Sequence, residues 1–242
     1  CLAILSGVWG TGPGLPVARA LPPAESRVTV SAAAQEPVAP AAGPVYRLNL
    51  PLIRNSTTEP SWPMAGANPQ RTSWTSTEVR GQLKPQWYKI FDAYIPPRVQ
   101  LIAANGLIYV ATSKGLYALN AASGAQQWVF PTDLPLGNAP TIADGVAYVG
   151  GLDGNLYALD ALTGEPRWAF KAGAGFDTNP LVMNGLVYAG NRDGKLYAIY
   201  ADDHSLRGTL AWSYQTGGPI HFSAAYYDGQ IYFASDDSPR PA

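Results

Sequence analysis

From residue 85 onward the chain alternates short apolar runs with glycine-centred polar pairs, and the alternation repeats about every forty residues. Trp87, Trp128, Trp168 and Trp212 stand 41, 40 and 44 residues apart. A second marker keeps the same period: Asn105-Gly106-Leu107-Ile108-Tyr109, Asp144-Gly145-Val146-Ala147-Tyr148, Asn184-Gly185-Leu186-Val187-Tyr188 and Asp228-Gly229-Gln230-Ile231-Tyr232. A third is Gly115-Leu116-Tyr117-Ala118-Leu119, Gly154-Asn155-Leu156-Tyr157-Ala158-Leu159 and Gly194-Lys195-Leu196-Tyr197-Ala198-Ile199. Asn-Gly and Asp-Gly accept the positive φ angles of a two-residue hairpin turn, so each predicts a junction between two antiparallel strands. Runs such as Val146–Gly150 have strand composition. Lys114-Gly115, Asp153-Gly154 and Asp193-Gly194 predict the next turn and Leu-Tyr-Ala-Leu a third strand. Ser123-Gly124 and Thr163-Gly164 then lead into a fourth strand carrying the tryptophan.

One repeat is therefore four short antiparallel strands. Such a unit cannot close its own core or protect both edges. Radial stacking around an axis answers both needs, which predicts an all-β fold, a β-propeller of four-stranded antiparallel blades. Solenoid units rarely hold four strands with tight hairpins, and Gly, Pro and Tyr interrupt every candidate helix. Residues 85–236 supply three complete units and part of a fourth, so about three and a half to four blades are expected. A propeller generally needs four to eight, and the expectation is an incomplete ring whose remaining blades lie in a missing part of a longer chain; the alternatives are a partner chain that completes the ring, and a four-bladed ring whose fourth blade is finished by the amino-terminal strand.

Composition agrees. Only 14% of the 242 residues are charged, against an ordinary ~25%. Gly 25, Pro 22 and Tyr 14 fit many strands and turns, and a chain 47% hydrophobic and 11% aromatic is too apolar to be disordered. Sixteen basic and seventeen acidic residues give no electrostatic footprint for nucleic acid. With a single cysteine no intrachain disulfide can form, and stability must come from packing.

The run Ala158-Leu159-Asp160-Ala161-Leu162-Thr163-Gly164-Glu165-Pro166-Arg167-Trp168 resembles the A-x-D-x-x-T-G-x-x-x-W docking motif of quinoprotein-like (PQQ-like) propeller repeats. Ala118, Asn120, Ser123, Gly124 and Trp128 form a conservative variant. The resemblance implies that each such Trp packs on the Thr-Gly turn of a neighbouring blade. The next unit departs: Tyr200 replaces the Asp, and Asp202–Gly208 lengthens the turn before Trp212. An altered girdle contact is expected there. Trp62–Thr72 resembles the segment that opens such propellers, where it often closes the ring. The likeness covers about residues 60–236, within a partial propeller domain of residues 60–242, and outer-membrane assembly lipoprotein propellers share it.

Residues 1–20 read as a truncated export signal with cleavage after Ala20, or alternatively as a lipoprotein anchor with Cys1 acylated. Residues 21–59 are an Ala/Pro-rich linker, in which Tyr46–Ile53 alternates like a strand and Pro51 marks an edge or docking arm. Asn55-Ser56-Thr57 fits a glycosylation sequon, and Gly10–Gly14 imitates a phosphate loop without a preceding strand.

Catalytic motifs are absent, and Asn191–Gly194 reads as a hairpin turn rather than a calcium loop. No catalytic residue and no metal ligand is assigned. Aligning the repeats on the turn glycine gives two columns that open each innermost strand. One is Arg98, Gly137, Asp177 and His221; the other is Gln100, Ala139, Asn179 and Ser223. Arg98, Asp177, His221, Gln100, Asn179 and Ser223 are candidates for a polar ligand site at one mouth of the channel; the other reading is solvated loop residues. Quinoprotein dehydrogenases, by the same resemblance, sandwich the quinone between a Trp and adjacent disulfide-bonded cysteines beside a calcium ion, so one cysteine argues against a PQQ cofactor. The expected function is an exported, non-catalytic scaffold for protein partners, touching a membrane only through its amino terminus. The alternatives are a fragment of a PQQ-dependent oxidoreductase, and a cell-surface carbohydrate- or peptide-binding module using Tyr94, Tyr226 and Tyr227.

Overall fold

A computed structural model describes residues 61–74, 85–202 and 204–236, together with the backbone of residues 2–6 and 46–49. Residues 1–6 and 45–242 make one unit; the other, Gly7–Pro44, lies outside the described residues, as do the predicted Ala20 cleavage site, most of the linker and the Asn55 sequon.

Every element is a strand: β1 (Leu2–Ser6), β2 (Tyr46–Asn49), β3 (Tyr88–Phe91), β4 (Ile102–Ala104), β5 (Leu107–Thr112), β6 (Gly115–Asn120), β7 (Gln126–Pro131), β8 (Thr141–Ala143), β9 (Val146–Gly150), β10 (Asn155–Asp160), β11 (Pro166–Lys171), β12 (Leu181–Met183), β13 (Leu186–Gly190), β14 (Lys195–Tyr200), β15 (Leu210–Gln215), β16 (Ala225–Tyr227) and β17 (Gln230–Ala234). Strands β4 to β7, β8 to β11 and β12 to β15 form three four-stranded antiparallel blades in chain order. A fourth sheet has the order β1-β17-β16, and β2 pairs with β3. The fold is the expected incomplete propeller.

The turns form as their residues dictate. Asn105, Asp144, Asn184 and Asp228 all take positive φ, as do the glycines after them, which is the type I′ geometry that matches strand twist. At the third turn Asn120 Oδ1 accepts from the N–H groups of Ala122 and Ser123, and Asp160 Oδ1 does the same for Leu162 and Thr163. Asn191–Gly194 is a hairpin turn, closed by Gly194 N–H to Asn191 O at 3.1 Å.

The inner strands of the second blade bury both faces. Along β9, Ala147 and Val149 join the core shared with the first blade, while Val146 and Tyr148 join the core shared with the third. The tryptophan girdle links the blades. Trp87 lies on Gly124, Trp128 on Gly164 and Trp168 on Gly208, so close that a Cβ on Gly124 or Gly164 would sit within 2.7 Å of ring atoms. Behind them Tyr109, Tyr148 and Tyr188 meet Trp128, Trp168 and Trp212 with ring centroids 5.7–5.9 Å apart.

Candidate functional site

Four antiparallel strands return the chain to the end at which it entered the blade. The connections from one blade to the next, 132–140, 172–180 and 216–224, therefore share an end with the turns between second and third strands. Backbone bonds fix them there: Phe176 N–H donates to Gly151 O, Arg192 N–H to Gly175 O and Ile220 N–H to Asn191 O. The two sequence columns lie on these connections.

The first column brings three blades together. Gly137 leaves no room for a side chain, since a Cβ there would stand 2.6 Å from Asp177 Cα. Asp177 Oδ2 takes two bonds, from Arg192 Nε at 2.9 Å and from His221 Nδ1 at 2.8 Å. His221 Nε2 points toward Asp236 Oδ2 at 3.7 Å. The other oxygen, Asp177 Oδ1, is buried and has no partner among the described residues. Arg98 remains exposed and joins none of them. Asp177 and His221 are thus a real pair, and Arg192, outside the alignment column, is the group that sequence reasoning missed. Its position one residue before the Asp193-Gly194 turn was the available signal.

The second column makes bonds between neighbouring segments. Asn179 Oδ1 accepts from Ala139 N–H, and both its backbone N–H and its Nδ2 donate to Ser223 Oγ at 2.8–2.9 Å. Gln100 Oε1 accepts from Gly66 N–H at 3.1 Å. These bonds tie the ends of the inner strands together.

Gly66 belongs to the opening segment, which lies along the free edges of the inner strands. Trp62 and Ala103 exchange backbone bonds, Ile142 N–H donates to Pro63 O, and Tyr226 N–H donates to Pro69 O. Arg71 holds the arrangement together. Its Nε donates to Ala224 O, Nη1 to Ala65 O and Nη2 to Asn179 O, at 2.6, 2.7 and 3.2 Å. Burial lowers its pKa to about 10, still far above neutrality, so the guanidinium stays charged. The segment thus covers inner edges that would otherwise line the channel.

Tyr94 and Tyr227 are exposed, but Tyr94 sits beside Ser113 at the connection end and Tyr227 beside the Asp228-Gly229 turn at the opposite end. Tyr226 packs against the core. The three tyrosines do not form one carbohydrate-binding face.

A quinone needs an open aromatic face. Trp87, Trp128 and Trp168 give theirs to the glycine turns, and the described residues gather no three His, Cys, Asp or Glu side chains that could hold a metal ion. Those three rings therefore do not offer that face to a quinone.

The family model described as outer membrane protein assembly factor BamB matches residues 70–174 and 112–238. The chain belongs to this family. BamB from Moraxella catarrhalis is 22% identical with a TM-score of 0.55, over 64% of this chain and 48% of that one. Quinohemoprotein alcohol dehydrogenase ADHIIG from Pseudomonas putida HK5 is 24% identical with a TM-score of 0.58, over 64% of this chain and 26% of that one. For the enzyme from Comamonas testosteroni the values are 22%, 0.56, 64% and 27%. The chain spans about half the length of the BamB structure and about a quarter of the dehydrogenases. No curated protein sequence matches it. Membership in the BamB family and likeness to the dehydrogenases establish the PQQ-like propeller fold that the docking motif implied.

Proposed function

We propose that the chain is part of an exported, non-catalytic propeller that binds a protein partner through the face formed by the inter-blade connections. The observation that carries this reading is that face's composition. Tyr94, Leu134 and Phe222 are 44%, 48% and 59% exposed there, alongside Arg98, Arg192 and the Asp177–His221 pair. Aromatic and aliphatic anchors among a few charges are what protein interfaces enrich. The BamB family supports both a protein partner and a place in the cell envelope. The filled inner edges and the engaged tryptophan faces speak against a quinone cofactor.

The test compares partners captured from envelope extracts by the wild-type chain and by a Leu134→Glu, Phe222→Glu variant. Both residues are exposed, so the variant should keep its fold by circular dichroism and lose at least tenfold of a specifically captured protein. Equal capture by both chains would move the interface elsewhere. Binding of PQQ with Ca²⁺, read by quinone absorbance on the protein, would overturn the non-catalytic reading.

A further inference from the structure

Arg71 is half-buried and bonds only to backbone. Arg167 and Arg192 are exposed, and each binds an aspartate. Arg71 binds three backbone carbonyls, and no carboxylate pairs with it among the described residues. A guanidinium drawn out of water is unfavourable unless an anion accompanies it. The segment that carries it is also strained. Ala67, Arg71 and Ser73, none of them glycine, take φ of 68°, 54° and 53°, where Cβ crowds the backbone. Gly66 lies so close that a Cβ on it would stand 2.8 Å from Arg71 Cα. Strain of this kind persists where the surroundings over-determine a residue, and it collects at ligand clamps.

Donors outnumber acceptors around Arg71. A guanidinium has five N–H donors; three are engaged by Ala224 O, Ala65 O and Asn179 O, and two remain. Asn179 Oδ1 accepts from Ala139 N–H, while Nδ2 gives one of its two N–H groups to Ser223 Oγ. Ser223 Oγ accepts that bond and another from Asn179 N–H, so its own hydroxyl hydrogen remains to donate. Arg71 bonds to the backbone of Asn179 and of Ala224, the residue after Ser223, which places residues 179 and 223 beside it. Two N–H groups of Arg71, one of Asn179 and the O–H of Ser223 thus accompany one positive charge. A carboxylate offers about four lone-pair sites, one negative charge and the plane that a guanidinium fork matches. A phosphate dianion would bring a second charge, and no second cation bonds to this cluster among the described residues.

We propose that Arg71, with Asn179 Nδ2 and Ser223 Oγ, binds the carboxylate of a small organic acid at the end of the inner strands. The group recognised is the carboxylate itself, and no aromatic ring takes part. Leu134 and Phe222 have no role in it, so it stands or falls separately from the proposed partner-binding face.

The experiment adds acetate, with inorganic phosphate for comparison, to the whole chain at constant ionic strength, read by calorimetry and by amide hydrogen exchange. Acetate should bind saturably with half-saturation near ~1 mM, at least tenfold more tightly than phosphate, and slow exchange over residues 64–73. Arg71→Gln should weaken binding at least tenfold. Asn179→Asp keeps an acceptor for Ala139 N–H, lets the Ser223 hydroxyl donate in return, and sets a carboxylate beside Arg71. It should abolish acetate binding and raise the melting temperature, so that loss of binding is not loss of fold. No saturable acetate binding, phosphate bound as tightly as acetate, acetate bound equally by Asn179→Asp, or a melting temperature lowered by that substitution would each overturn the proposal.

Discussion

Trp87 and Trp128 donate their indole N–H to the carbonyls of Ala121 and Ala161, at 3.0 and 3.2 Å, while the buried Nε1 of Trp168 has no acceptor among the described residues. The turn beneath Trp168 is the lengthened one, with Tyr200 in the place of Asn120 and Asp160. It still brings Gly208 under the ring but does not present a carbonyl to the indole. A net hydrogen bond is worth about 1 kcal/mol and an orphaned buried donor costs about 1–3 kcal/mol. Trp128→Phe is expected to lose about 1–2 kcal/mol more stability than Trp168→Phe, by urea unfolding, although both remove the same ring. Equal losses would mean that Trp168 has a partner in solution. The altered contact was legible in the sequence because Tyr200 and the inserted residues break a motif repeated twice before. Arg71 was not legible: it occurs once, and its three acceptors are backbone carbonyls from distant segments, which no side-chain pattern announces.

The third turn of the second blade is joined to that of the third by an arginine. Arg167, at the start of β11, donates to Asp160 Oδ2 at 2.7 Å and to Asp202 Oδ2 at 2.5 Å. The Arg167 guanidinium, with the N–H of Thr163, holds the Asp160 carboxyl down to about 2, below the usual ~3.9. A carboxyl whose pKa is lowered by folding stabilises the fold above its unfolded pKa, and that contribution disappears as pH falls through the folded value. The clamp should therefore lose its contribution between about pH 4 and pH 2. The pair is partly exposed, so the effect should be no more than about 1 kcal/mol. An Asp160→Asn variant keeps the turn, since Asn120 fills the same place in the first blade, and should flatten the fall of melting temperature over this range. An unchanged slope would show that Arg167 adds nothing to the link. At this scale strands and turns were readable because Gly, Asn and Asp are required at fixed positions. The clamp was not, because one partner sits in the insertion that departs from the repeat.

At the scale of the molecule, stability is a property of interfaces between sheets, not of sheets. Each core draws on two neighbouring blades, so a blade is as secure as the number of its faces that are covered. All five residues of β9 are buried, and four of five in β13, whereas burial alternates along β17. The repeat could announce the blade and the need for neighbours, since forty-residue periodicity fixes how one unit stacks on the next. It could not announce that residues 62–73 would cover the inner edges, because that segment lies outside the repeat and binds through backbone groups. The count of repeats left an amino-terminal strand open as the completion of the fourth blade, but not the register of β1 on β17, since Leu2–Ser6 matches the pattern only at its leucines. Nearest-neighbour coupling has a direct consequence for unfolding. Hydrogen exchange should be slowest in β9 and β13, faster in β5, and fastest in β16, β17 and β3, with openings that spread from the two end sheets inward. A chain unfolding as one cooperative body would instead show a common limiting rate in all of these strands. That result would mean that the opening segment and Arg71, which touch all four blade sheets or their connections at once, bind the partial propeller more strongly than the stacking of its blades.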